Sequence, residues 1–225
     1  MTFPNLVSDT MSDEEFRRLI EQGDVEGVRR ALAGDPGLAN RTVRWHLNQD
    51  NESDPLHYVS DCVFNGRLTN GREGELAQVL LAHGAAINGT QGRESPLIGS
   101  ASLGAEKVST VLIEAGADLE ATSIYQSRAL HWAAWVGASR TVEQLVARGA
   151  EMEVKDSEFG ATPLFWAVHG YGPNGPDKKD QVGAARILLA AGANVRTFNK
   201  EGCSALEMAG TCKNRDMSEL LERYV

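Results

Sequence analysis

Apolar positions along the chain come in short paired runs rather than in long stretches or strict alternation. Val111-Leu112-Ile113, Leu145-Val146 and Ile187-Leu188-Leu189 each centre a segment long enough for one amphipathic helix, and each segment closes soon afterwards on Gly-Ala. That dipeptide recurs at Gly84-Ala85, Gly116-Ala117, Gly149-Ala150 and Gly192-Ala193, in steps of 32, 33 and 43 residues. A glycine there suits the left-handed backbone that stops a helix. A second mark, a leucine after Pro or Ala, recurs in Asp54-Pro55-Leu56-His57, Ser95-Pro96-Leu97, Arg128-Ala129-Leu130-His131, Thr162-Pro163-Leu164 and Ser204-Ala205-Leu206, with the leucines 41, 33, 34 and 42 residues apart. Proline loses nothing in a first helical turn, and Thr162, Ser95 or Asp54 can cap the helix it opens. Small residues such as Ala133-Ala134 and Ala167 then allow close helix approach. The pattern predicts two helices in each period of about 33 residues, and one such pair cannot cover its own apolar face, so the pairs must stack.

These units resemble the ankyrin repeat family, whose unit reads T-P-L-H-x-A, then a glycine, then an aliphatic helix closing in G-A. Thr162-Pro163-Leu164-Phe165-Trp166-Ala167 and Ala129-Leu130-His131-Trp132-Ala133-Ala134 match it most clearly. The resemblance implies an all-α solenoid of about six stacked helix-turn-helix units with finger loops, spanning residues 13–225 after an N-terminal extension of residues 1–12. The approximate units are 13–40, 54–88, 95–120, 128–153, 162–196 and 204–225. The first and last read as caps, the last presenting Glu219, Glu222 and Arg223.

Three departures from the period are candidates for function. The second and fifth units each carry nine extra residues between their helices, around 66–71 and 170–179, and the first finger is about eight residues longer than the others. That finger bears Arg44, Trp45 and His46. Gly170, Gly172 and Gly175 have GxGxxG spacing, but they follow a helix rather than a strand, which excludes a dinucleotide loop.

Composition narrows the chemistry. With 22 Lys+Arg against 31 Asp+Glu, the net charge is −9, the wrong sign for binding nucleic acid. No apolar run approaches the ~20 residues of a spanning helix. Residues 1–10 lack the basic and apolar regions of a secretory signal, so a cytoplasmic location is expected. Cys62, Cys203 and Cys212 have no metal-type spacing and read as reduced, buried thiols. Neither a metal nor a cofactor is expected.

By resemblance, finger tips and the exposed row of first helices line the concave surface. The row is Asp61, Ser102, Trp135, His169 and Thr211; the tips include Asn51, Gln91, Ile124-Tyr125, Glu158-Phe159 and Lys200-Glu201. Trp132 and Trp166 fall in a semi-buried slot, whereas Trp135 and Tyr125 fall on positions expected to face solvent, as binding anchors do. His57 and His131 occupy the slot that ties neighbouring fingers through backbone hydrogen bonds, His83 suits a helix C-terminus, and His169 is free to donate to a ligand. Gly99, Ser100 and Ser102 are small enough to leave a hollow beside the aromatics.

Catalysis finds no support in this arrangement. Asp61, His46 and His169 sit too many repeats apart, roughly 25 to 30 Å, to share a proton, and Trp135, His169 and Tyr125 lack a paired carboxylate, metal set or nucleophile. The expectation is therefore a monomeric, non-catalytic module that binds a partner protein through Trp135, Tyr125, Ile124, Phe159, His169, Asp61 and Trp45. An inhibitor or immunity-type protein for a basic partner is one version. The alternative is a small-molecule or catalytic pocket lined by aromatics in units three to five.

Overall fold

The computed structural model describes residues 11–46, 50–172, 180–211 and 215–225. Its helices run in consecutive pairs: α1 (Asp13–Gln22) with α2 (Val25–Gly34), α3 (Pro55–Phe64) with α4 (Glu73–Ala82), α5 (Pro96–Ser102) with α6 (Glu106–Glu114), α7 (Ala129–Val136) with α8 (Ser139–Ala147), α9 (Pro163–Gly170) with α10 (Gln181–Ala190), and α11 (Ala205–Thr211) with α12 (Arg215–Glu222). The odd-numbered helices pack on one another in sequence order, as do the even-numbered ones, giving two layers with one continuous apolar core between them. This is an all-α ankyrin-repeat solenoid.

Local chemistry accounts for the helix ends. Ser12 and Glu15 close a reciprocal capping box at the start of α1. Pro55, Pro96 and Pro163 stand in first turns, but only Thr162 caps through its side chain, accepting from the Phe165 N–H at 3.5 Å. Asp54 is drawn away: its carboxylate accepts from the Thr90 N–H at 2.7 Å and the Thr90 hydroxyl at 3.0 Å, tying the second finger to the start of α3. The four repeated glycines all adopt left-handed φ, from 85° to 101°, as the stop signal requires.

The lengthened first finger folds into an antiparallel hairpin of β1 (Val43–His46) and β2 (Asp50–Ser53), with Trp45 opposite Asn51. Trp45 turns inward. Its ring is only 8% exposed, packs 5.8 Å from that of Tyr58 and is covered by the Arg67 guanidinium at 5.6 Å. Trp45, expected on a partner-binding surface, is thus largely covered, because the insertion that carries Arg67 folds back over the ring, and it keeps only an edge on the hollow beside Asp61. In the same segment Leu68 is buried, Arg67 pairs with Glu21 at 2.7 Å, and the Asn70 side chain donates to the Gln22 carbonyl at 3.0 Å. The insertion around 66–71 braces the first two units. Of the second insertion, residues 173–179 lie outside the described residues, as do Cys212 and the extension up to residue 10.

Candidate functional site

Packing of α7 against α9 builds the site. Trp132 and Trp166 meet edge to face at 5.0 Å, Trp132 and Trp135 at 5.8 Å, and Phe159 reaches the Trp166 ring at 6.4 Å from the finger above. Edge-to-face geometry sets the positive edge of one ring against the negative face of the next, so the cluster makes a corner rather than a flat stack. Together with Tyr125 and His169 the rings line a hollow of about 440 Å³. Tyr125, Trp132 and Trp135 also wall a second hollow of about 850 Å³, floored by Leu103 and edged by Phe64 and Ile124.

Exposure along this wall is graded. Ile124 is 86% exposed, Phe159 49% and Tyr125 39%, and His169 faces solvent 6.2 Å from the Phe159 ring. Trp135 is half-buried rather than exposed, because α9 presses on its backbone. A methyl group built on Gly170 would lie 2.1 Å from the Trp135 carbonyl oxygen, which also accepts from Gln181 Nε2 at 3.3 Å. The glycine is what lets Trp135 sit where it does. Phe64, 65% exposed on the rim of the larger hollow, escaped sequence reasoning. Its helical position, three residues past Asp61 and next to the insertion, was the available signal.

Asp156 is the hidden support of the aromatic corner. Its buried carboxylate accepts from the N–H groups of Glu158 and Phe159, both at 2.7 Å, from that of Ala161 at 2.9 Å and from the indole Nε1 of Trp166 at 3.0 Å. Burial pulls its pKa upward, but these donors outweigh it and hold the carboxyl below its usual range. An Asp opening a turn that closes on Gly160 is an Asx-turn pattern visible in sequence. Trp132, one repeat earlier, has Thr122 at the equivalent finger position, and its indole nitrogen is buried without a hydrogen-bond partner.

His131 performs the tie expected of it: Nδ1 accepts from the Arg128 N–H and Nε2 donates to the Val154 carbonyl, each at 3.1 Å. Burial pushes its pKa down to about 4, against the pull of Asp156. His57, in the same slot of the second unit, does otherwise. Its ring fills the space left by Gly99, where a methyl group would lie 2.4 Å from Cε1, so the hollow expected beside Gly99 is occupied. Its Nε2 stands 3.9 Å from Asp61 Oδ1. His83 bonds the Val79 carbonyl near the end of α4 at 2.8 Å.

Asp61 is separate from the aromatic corner. It lines a polar hollow of about 670 Å³ with His57, Glu94, Arg93 and Asp54. Loss of water raises the pKa of Asp61, with His57 and Ser53 opposing, and that of Glu94, with His57 again opposing. Cys62 is buried, its thiol pushed up to about 12 by that burial, and is no nucleophile. Among the described residues no three His, Cys, Asp or Glu side chains are grouped so as to hold a metal ion, and no helix is long and apolar enough to cross a membrane.

A family model for ankyrin repeats in three copies matches residues 130–224, the stretch that contains the aromatic corner. Residues 130–224 are thus ankyrin repeats. It is 31% identical over 97 residues to Palmitoyltransferase Hip14 of Drosophila melanogaster, covering 43% of this chain and 14% of that one. It is 33% identical over 92 residues to Inversin of Gallus gallus, covering 41% and 8%, and 34% identical over 114 residues to Protein PhlB of Serratia liquefaciens, covering 46% and 50%. The chain thus spans half or less of the length of these curated relatives. Ankyrin repeats indicate a protein-protein interaction module, and the fold is generally non-catalytic.

Proposed function

We propose that this ankyrin array binds a partner protein on its concave face without catalysing a reaction, acting as a monomer in the cytoplasm. The observation that carries the reading is the pair of adjoining hollows separated by one aromatic wall. Exposed rings with few rotatable bonds, clustered beside concave space, have the composition of binding hot spots. Ile124, Tyr125 and Phe159 supply apolar area from the fingers, Trp135 supplies the wall, and His169 supplies a donor or acceptor. Asp61 adds polar selectivity from the separate hollow around His57. The charge of −9 speeds encounter with a basic partner, which suits an inhibitor or immunity-type role.

A small ligand is the second reading, and the 440 Å³ hollow falls within the usual range for ligand pockets. A direct test compares the unaltered protein with Ile124→Asp and Phe159→Ser, both exposed and so harmless to folding, in capture from native cytosol. Loss of the same captured protein from both variants at unchanged melting temperature supports the protein-binding reading. Unaltered capture by both overturns it.

A further inference from the structure

Resting on that reading of the concave face, we propose that the 440 Å³ hollow receives a cationic side chain, lysine or arginine, presented by the partner protein. Three features of the hollow select that class of group. Its walls are ring faces and edges held at steep angles, 77° between Trp132 and Trp166 and 70° between Phe159 and Trp166, so a group inside meets more than one ring. A cation is attracted by the negative face of such rings, Trp most of all.

The second feature is charge. Glu158 and Glu201, both exposed, line the hollow, and neither forms an ion pair among the described residues. Among the described residues one lysine, Lys200, also lines the hollow; its ammonium donates to the Ser157 carbonyl at 2.5 Å, while its backbone N–H donates to the Phe159 carbonyl at 2.9 Å. Among the described residues, the two carboxylates and the one lysine leave the lining of the hollow with an excess of negative charge. The third feature is contrast. The neighbouring 850 Å³ hollow shares the Tyr125, Trp132 and Trp135 rings but sets them, with Ile124, Phe64, Leu103 and Val63, about a single carboxylate, Glu94. The hollow over Trp166 adds the Phe159 and Trp166 rings to those three and has two carboxylates, neither in an ion pair among the described residues.

Pentapeptides make the test possible before the partner is known. Acetylated and amidated Gly-Gly-X-Gly-Gly is titrated against the full chain, with X as arginine, its neutral isostere citrulline, lysine or norleucine, and the indole N–H signals of the tryptophans are followed by NMR. The arginine and lysine peptides should move the Trp135 and Trp166 signals and saturate at concentrations about tenfold below citrulline and norleucine, as one desolvated cation–ring contact implies. That preference should fall several-fold in the double variant Glu158→Gln, Glu201→Gln. Equal binding of charged and neutral peptides, or no movement of any indole signal, overturns the proposal. The two readings fail separately: capture lost in Ile124→Asp but unaffected in the double glutamine variant leaves the concave-face reading standing and removes the cation. Capture unaffected in both removes the concave face itself.

Discussion

The indole of Trp166 donates its N–H to Asp156 across 3.0 Å of protein interior, joining a finger turn to the wall of the groove. The same carboxylate accepts three backbone donors, so finger geometry and ring orientation are set by one group. Asp156→Ala should leave four donors without an acceptor. Unsatisfied buried groups cost roughly 1 to 3 kcal/mol each before relaxation and water entry, so a loss of at least ~2 kcal/mol in urea unfolding is expected. Asp156→Asn, which keeps an acceptor but loses the charge, should lose less. Equal stability of the alanine variant would remove Asp156 from this role.

Gly170→Ala sets two effects against each other. Alanine is favoured over glycine within a helix by about 0.5–1 kcal/mol, but its methyl group would lie 2.1 Å from the Trp135 carbonyl oxygen. Backbone cannot yield as a flexible side chain does, and overpacking typically costs 1–3 kcal/mol. The variant should melt lower and show altered near-ultraviolet dichroism from the displaced tryptophan. A higher melting temperature would show that the helices separate freely.

Acid should loosen the array through His131. With its native pKa depressed to about 4, the unfolded chain takes up a proton that the folded imidazole refuses. The contribution is fully present above the unfolded pKa of about 6.5 and is lost as pH falls toward 4, amounting to roughly 3 kcal/mol. Asp61 and Glu94, whose pKa values are raised, act with the opposite sign, so the informative quantity is the difference from His131→Asn. Stability of the parent should fall more steeply between pH 6.5 and 4.5 than that of the variant. Parallel curves would contradict the assignment.

Arg67→Ala tests whether the first insertion is structural. Removing the guanidinium uncovers Trp45 and, among the described residues, leaves Glu21 with Tyr58 and the more distant Arg17. A loss of about 1–3 kcal/mol is expected, with a red shift of tryptophan emission as water reaches the Trp45 ring. No change in either would return this loop to the list of binding candidates.

Sequence made the paired helices legible because Pro, Gly-Ala and aliphatic spacing are local signals with local causes. It also placed Tyr125, Trp135, Phe159 and His169 near one another, since register alone brings equivalent positions of adjacent repeats together. What it could not reach depended on contacts made across the chain. Trp45 is hidden by an arginine 22 residues away in a loop whose path no periodicity describes. His57 and His131 share a motif slot yet behave differently, because Gly99 opens a space for one ring and the Val154 carbonyl anchors the other. Asp61 stands on the same row as Trp135 but opens into another hollow, walled by the long first finger.

Photocrosslinking tests the central claim most directly. With p-benzoylphenylalanine in place of Ile124, on the groove, or of Arg140, exposed on α8 in the outer layer, irradiation in native cells should give one discrete adduct band from position 124 and none from 140. The same discrete band from 140 and none from 124 would place the partner on the opposite face and contradict the account.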